Sequence, residues 1–281
     1  KIPLVVDMKD DVVGGMVYLS KPKYRQAVER FLEKFVINTA TRVTFATRQS
    51  LEVYRDRYPK KVQYFSFIPN GCDLDEFTGA LSCSSQKDNN EFLILSAASR
   101  YRRDYRDAEP FLRAVALFSS GLPDTHKTIR VVFLGNSLGK EYEQLIDQLG
   151  LTGIVENIPP AKRDDYRAWL NQSDLLFLVQ PYNNRTSTAG TLYEYWATGK
   201  APILLFSEEG SSRDLVEQAN LGRSFNFTHI REAADYINTV YKADQSGTPI
   251  RIKREGIEVF DRRSTAKQMN EVWKSCLPNN L

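Results

Sequence analysis

Short apolar runs of strand length alternate with segments of helical apolar spacing along nearly the whole chain, and this alternation predicts a parallel sheet clothed by helices. Residues 2–7 read as a buried strand ending on Asp7, and Tyr24 to Ile37 carries apolar residues at helical spacing, with a Gly14-Gly15 loop between them. Strand Arg42 to Ala46, helix Gln49 to Tyr58 and strand Gln63 to Ile68 follow, and the last runs into Pro69-Asn70-Gly71. Further on the spacing predicts strands over Phe92–Ala97, Ile129–Leu134, Val155–Asn157, Leu175–Val179 and Pro202–Phe206. The helices between and after them are predicted over Ala108–Phe118, Lys140–Leu149, Arg163–Asn171, Gly190–Thr198 and Ser212–Ala219, with a final amphipathic helix over Thr265–Ser275. The implied class is α/β and doubly wound. No internal repeat or heptad pattern is present.

The stretch Gly79 to Asn90 is small, polar and aperiodic, so it reads as a linker. It divides the chain into residues 1–78, the linker 79–90, a body 91–258 and a C-terminal helix in 259–281 expected to pack back on the first part. Length fits this: 281 residues with 42% hydrophobic content can bury the core of one large domain or two modest ones. The apolar run at Pro3–Val6 needs neighbouring strands, few of which the chain offers, and it opens the sequence without an initiator Met, so the chain reads as a fragment or a processed product. No apolar run approaches the ~20 residues of a bilayer span, and no signal-peptide pattern is present.

Charge and cysteine content narrow the function. With 38 basic and 35 acidic residues the net charge is +3, which gives no reason to expect a nucleic-acid partner and suits a phosphorylated ligand or an anionic membrane surface. Cys72, Cys83 and Cys276 show no C-x-x-C spacing or companion histidine, so no metal site is expected and reduced thiols in the cytoplasm are the simple reading. Two histidines, His126 and His229, in polar surroundings offer little to a nucleophile–His engine. The P-loop pattern and a G-x-G-x-x-G after a strand are both missing, which argues against a P-loop ATPase and a dinucleotide-dependent dehydrogenase.

In an open parallel sheet the ligand sits beyond the carboxyl ends of the strands, against helix N-termini. Three loops are equipped for that: Ser96–Asp107, Gly135–Lys140 and Gln180–Thr191. The third leads through Thr188, Ala189 and Gly190, small enough for close backbone approach to a diphosphate, into a helix that carries Glu194 about one turn inside, placed to accept from a ribose diol. Thr191 and Glu194 satisfy the T-x-x-E capping box equally well, and spacing alone leaves both readings open. The first loop crowds Arg100, Arg102, Arg103 and Arg106 at the ligand edge, where guanidinium forks suit phosphate oxygens and a solvated charged turn is the plainer alternative.

Taken together, six segments resemble the GT-B glycosyltransferases that use nucleotide-diphosphate sugars, the retaining group 1 family and its bacterial exopolysaccharide and cell-envelope members in particular. IPLVVDMKD is similar to a strand late in the acceptor domain, VTFATRQSLEVYRDRYPKKV to the following strand and helix, and IPNGCDLDEF to the domain-linking I-P-N-G-x-D-x-x-x-F. YRRDYRDAEPFLRAVALF, VVFLGNS and TAGTLYEYWATGKAPILLF resemble the donor-phosphate loop, the F-x-G strand exit and the E-Y-x-A-x-G-K-P-I-L signature, in the family's order. The resemblance implies one complete Rossmann-like domain plus a partial second one, lacking the first half of the acceptor domain, where acceptor contacts and often a catalytic histidine lie.

It further implies that Glu194 binds the ribose, that the amides of Gly190 and Thr191 hold the diphosphate, and that Arg106, with Arg103 as the alternative, is the cation upon it. Asn157 to Pro159 would pass the base, while Asn70 and Gly71 would shape the interdomain cleft. The donor would be a nucleotide-diphosphate sugar used without metal, the acceptor a glycan or lipid-linked hydroxyl, the configuration retained, and the setting cytoplasmic with peripheral contact at the inner membrane face. Two departures stand out: Thr186 occupies the position of a second glutamate eight residues before Glu194, and Thr191 that of a common lysine. They keep open a non-catalytic, nucleotide-binding scaffold. An epimerase of the same fold is disfavoured by E-Y-W-A-T-G-K and I-P-N-G-C-D.

Overall fold

The computed structural model describes residues 2–14, 16–78, 87–88, 90–98, 100–122 and 127–277. Most of the expected linker, together with Cys83 and His126, lies outside the described residues.

Two parallel sheets organise the chain. The smaller has the order β1 (Val5–Met8), β2 (Arg42–Phe45), β3 (Phe65–Phe67), with Val6 opposite Val43 and Thr44 opposite Ser66. Short α1 (Met16–Leu19) and long α2 (Lys23–Thr39) connect its first two strands, and α3 (Arg48–Arg57) follows the second. Thr47 caps α3 by accepting from the Ser50 amide at 3.1 Å. The expected strand Gln63–Ile68 is shorter than its pattern, because a 3-10 turn, Pro59–Tyr64, with proline in its first turn, takes up the lead-in.

The larger sheet contains β4 (Glu91–Ser96), β5 (Thr128–Leu134), β6 (Val155–Ile158), β7 (Leu175–Val179), β8 (Ile203–Phe206) and β9 (Gly222–Phe225). Its spatial order is β6-β5-β4-β7-β8-β9, the doubly wound order that reverses direction between β4 and β7. The helices are α4 (Glu109–Ser119), α5 (Glu143–Gln148), α6 (Arg163–Gln172), α7 (Gly190–Thr198), α8 (Ser211–Gln218) and α9 (Ile230–Gln245). The expected helix Lys140–Leu149 is instead a 3-10 turn, Lys140–Tyr142, followed by the short α5. Strands β7 and β8 are buried along their whole length, as continuous apolar runs in a two-sided sheet must be.

Aromatic packing fixes the core around the reversal point. Phe111 of α4 stacks on Phe177 of β7 with ring centroids 3.6 Å apart, and Phe133 of β5 meets Phe177 edge-on at 5.2 Å. On the other flank Tyr241 of α9 meets Phe92 at 5.1 Å and Phe118 at 5.3 Å, which seats α9 beside α4. Each such ring contributes on the order of 1.5–3 kcal/mol by burial alone.

The chain then returns to the linking motif. The Cys72 amide donates to the Phe260 carbonyl and the Arg262 amide to the Cys72 carbonyl, both at 3.1 Å, just before α10 (Arg262–Lys274). Gly71 is required here for closeness: a Cβ built on it would stand 1.7 Å from the Phe260 carbonyl oxygen. The Phe260 ring in turn packs on Tyr193 at 5.0 Å and Trp196 at 5.6 Å, so the return segment braces α7 from below. No described helix is long and apolar enough to cross a membrane.

Candidate functional site

The large sheet reverses between β4 and β7, the place where a doubly wound fold opens its ligand crevice above the strand ends. Helix α7 rises from that edge. Its start is open: a Cβ built on Gly190 meets nothing within 4 Å, whereas the Leu192 amide turns back to the Ala189 carbonyl at 3.0 Å. Gly199 closes the helix in the left-handed conformation at φ 60°, the αL stop that only glycine adopts freely. The N-terminus of such a helix carries about half a positive charge and suits an anion.

Glu194 lies one turn inside and is held from two sides. Arg163 Nη2 donates to its Oε1 at 2.9 Å, and the Tyr166 hydroxyl donates to its Oε2. Arg163 also pairs with Glu76, so the guanidinium is fixed between two carboxylates. Burial pushes the Tyr166 phenol well above its ordinary range, reinforced by the Glu194 charge, and it remains a donor at neutral pH. The capping-box alternative is not formed. Ala189 is the N-cap, no side chain caps the helix, and the Glu194 carboxylate is spent on α6.

Tyr166 also lines a cavity of about 990 Å³ at the exits of β4, β5 and β6. Its other walls include Arg100, the Gly135–Lys140 loop, Asn157 and Pro160. Gly135 at φ 94° and Asn136 at φ 50° turn that loop sharply, and both amides donate to the Ile158 carbonyl, at 2.8 and 2.7 Å. Asn157 pins the loop from the other side, donating to the Leu138 carbonyl at 2.9 Å while accepting from the Leu138 amide at 3.3 Å. Asn157 thus faces the cavity and shapes it. Pro159 is exposed but does not line it; the adjoining Pro160 does.

The arginine loop is a small hairpin plugged into the core by Tyr101. This residue is fully buried, its hydroxyl 2.6 Å from Ser96 Oγ and its amide donating to the Ser137 carbonyl at 2.6 Å. Arg102 and Arg106 close the hairpin through reciprocal backbone bonds of 3.0 and 2.9 Å. Side chains then diverge. Arg102 pairs with Asp104, Arg103 pairs with Glu109 at 3.2 Å and lies over the Tyr142 ring, and Arg106 is buried with its guanidinium 6.0 Å from the Tyr101 ring centroid. Arg100, exposed at the cavity wall, is the member that reaches the cavity.

Of the remaining expected residues, Ala189 and Thr191 flank the open helix start and are partly exposed. Thr188 faces a different crevice, with Thr47, Gln49 and Tyr193 among its walls. There the smaller unit touches the larger: the Thr47 hydroxyl donates to the Thr186 carbonyl, and Gln49 bonds Asp214 and accepts from Ser211 at 2.8 Å. Sequence reasoning missed Arg163 and Tyr166. Their signal is the i, i+3 spacing in RDDYRAWL, two residues after Pro159-Pro160, which puts both on one face of the first turn of α6. Among the described residues no group of three or more His, Cys, Asp or Glu is arranged to hold a metal ion.

No protein-family model matches the sequence, and no curated protein does. Solved structures do. Sucrose-phosphate synthase from Thermosynechococcus elongatus superposes with a TM-score of 0.72 at 17% identity over 96% of this chain and 67% of that one. HepE from Anabaena, in complex with UDP and glucose, gives 0.69 at 18% identity over 97% and 72%. A UDP-forming α,α-trehalose-phosphate synthase from Burkholderia xenovorans gives 0.67 at 12% identity over 98% and 69%. The two parallel sheets and these neighbours together establish the fold as that of the GT-B glycosyltransferases, with one complete Rossmann-like body and part of a second.

Proposed function

We propose that the protein transfers a sugar from a nucleotide-diphosphate sugar to an acceptor hydroxyl. The observation that carries this reading is Glu194, held by Arg163 and Tyr166 one turn inside a helix with an open start, beside a cavity of about 990 Å³ that has room for a nucleoside. A carboxylate has about four acceptor sites. With two taken by α6, two are left for the vicinal hydroxyls of a ribose.

In this arrangement the amides of Gly190 and Thr191 hold the diphosphate, Ala189 keeps the approach narrow, and Asn157, with Pro160 rather than Pro159 beside it, borders the base. Arg106, with Arg103 as the alternative, supplies positive charge to the leaving group, and Arg100 at the cavity wall joins them. The acceptor oxygen bonds to the donor C1 as the C1–O bond to phosphate breaks. The electron pair departs with the nucleoside diphosphate, the acceptor proton is passed to the phosphate side, and the configuration is retained. Helix amides and guanidinium groups carry the developing charge without a metal ion. The likeness to HepE bound to UDP and glucose, and to UDP-forming synthases, supports a donor of this class. The reading extends to a glycan or lipid-linked acceptor in exopolysaccharide or cell-envelope synthesis, at the cytoplasmic face of the membrane.

A non-catalytic nucleotide-binding relative is the second reading. It is favoured by Thr186, whose carbonyl is engaged by Thr47, and by Thr191, which stands where a cation would. Release of nucleoside diphosphate from a panel of donor sugars, with and without added acceptor glycans, separates the two. Turnover that Glu194→Gln lowers about ten- to hundred-fold, from the loss of charged hydrogen bonds, supports the transferase. Tight nucleotide binding with no release from any donor supports the second reading.

A further inference from the structure

Glu194 does not have Arg163 to itself. The Arg163 guanidinium donates from Nε to Oε2 of Glu76 at 2.9 Å, and its Nη2 is shared between that same oxygen and Oε1 of Glu194. One cation therefore stands between two carboxylates. The second of them belongs to the linking motif, on the 3-10 turn Leu74–Phe77 that carries the chain away from the smaller sheet.

Glu76 is fixed in that place by its backbone. Arg167, one turn further along α6, donates Nη1 to the Glu76 carbonyl, and Arg254 donates to the Phe77 carbonyl at 3.5 Å. Phe77 is buried, with the Arg163 guanidinium 5.8 Å from its ring centroid. Asp73 caps the turn by accepting from the Asp75 amide at 3.1 Å. A surface ion pair ordinarily gains little, because two long side chains must be ordered to make it. Here the chain on either side of the carboxylate is already held, and α6 grips it from positions i and i+4.

The shared guanidinium has a chemical consequence. Held by Nε and Nη2 on Glu76, its plane is set, and it meets Glu194 with Nη2 alone. A guanidinium free to turn toward one carboxylate closes on it as a fork, through two parallel N–H···O bonds. A fork on Glu194 would take both oxygens, and Tyr166 already bonds one of them. Of about four acceptor sites, only one would then remain for a diol that needs two.

We infer that Glu76 is a positioning residue for ribose recognition: by holding Arg163 aside, it keeps two acceptor sites of Glu194 open to the 2′- and 3′-hydroxyls. This rests on the reading of Glu194 as the ribose carboxylate, and it makes the linking motif a determinant of how well that carboxylate selects ribose.

The test is titration calorimetry of the full chain with uridine, guanosine, adenosine and thymidine diphosphates as ribonucleotides and with their 2′,3′-dideoxy counterparts. The proteins are the parent, Glu76→Ala, Arg163→Met and the double variant. For the base that binds, the parent is expected to favour the ribonucleotide by about ten-fold or more, as two hydrogen bonds to a charged group imply. Glu76→Ala should reduce that preference several-fold by weakening the ribonucleotide, with the dideoxynucleotide held within about two-fold. In Arg163→Met no guanidinium is left to close on Glu194, so adding Glu76→Ala should change the preference by less than about two-fold. Glu76 is partly exposed, and its truncation should move the thermal midpoint of the unliganded protein little. An unchanged preference in Glu76→Ala, an equal loss for both ligands, or the same loss with and without Arg163 overturns the proposal while leaving the ribose reading intact. A parent that binds no diphosphate, or binds both sugars alike, overturns the ribose reading itself and the proposal with it.

Discussion

Glu194 is oriented before any ligand arrives, since Arg163 takes one oxygen and Tyr166 the other. Both partners act on nucleotide through Glu194, so their effects should not add. Arg163→Met and Tyr166→Phe are each expected to weaken nucleoside-diphosphate binding several-fold in the parent and to change little in a Glu194→Gln background. A double-mutant cycle by titration calorimetry reads this coupling, and additive losses would show that the two residues contact ligand independently. Cys72 offers a second check at this scale. Its thiol donates to the Tyr193 carbonyl at 3.4 Å, and burial, aided by the Glu194 charge, pushes it up to about 12. Thiolate is the reactive form. Cys72 should therefore resist iodoacetamide at neutral pH until the protein is unfolded, while the half-buried Cys276 reacts in the native state. The role of Glu194 is legible in sequence because loop and helix start are contiguous around it. Arg163 and Tyr166 lie 31 and 28 residues away, so only the packing of α6 on α7 reveals them.

Elements whose apolar pattern is strong are legible almost to the residue. Leu175–Val179 and Gly190–Thr198 stand where the pattern puts them, because β7 is a continuous apolar run and α7 is bounded by glycine. Elements whose burial comes from neighbours are not. β9 is four residues with a single buried side chain, Phe225, and exists by pairing with β8. α9 is missed although Ala233, Ile237, Val240 and Tyr241 recur at helical spacing. Its apolar stripe is narrow and set among charged residues. The arginine loop is a further case: four guanidinium groups adjacent in sequence diverge once Tyr101 anchors the hairpin, and only Arg100 reaches the cavity wall. Two substitutions test the packing account. Phe177→Ala removes a ring that contacts three others and is expected to cost about 3–5 kcal/mol in urea unfolding. Gly71→Ala forces apart the linking motif and the Phe260 backbone, and is expected to cost about 1–3 kcal/mol. A neutral outcome for Gly71→Ala would mean that the return segment is not clamped there.

On the scale of the whole molecule, the smaller sheet is tied to the larger by two sets of contacts, and residues of both wall one pocket beside Tyr193. One is the Cys72–Phe260 clasp, and the other is the bonding of Thr47 and Gln49 to the β7 exit loop and α8. None of these residues lines the cavity at the exits of β4, β5 and β6, so the ties leave the proposed nucleotide site clear. The doubly wound fold is legible from strand–helix alternation alone. The strand order, and with it the position of the crevice, comes only from the structure. The central claim, that this crevice binds a nucleoside diphosphate through Glu194, is tested most directly by thermal unfolding. The parent and Glu194→Gln would each be heated with uridine, guanosine, adenosine and thymidine diphosphates, with and without magnesium. A ligand at a hundred times its Kd adds about 2.7 kcal/mol to the folded state, which is a rise of several degrees for a chain of this size. The account predicts such a rise with one base, independent of magnesium and lost in Glu194→Gln. No rise with any diphosphate, or an equal rise in parent and variant, would contradict it.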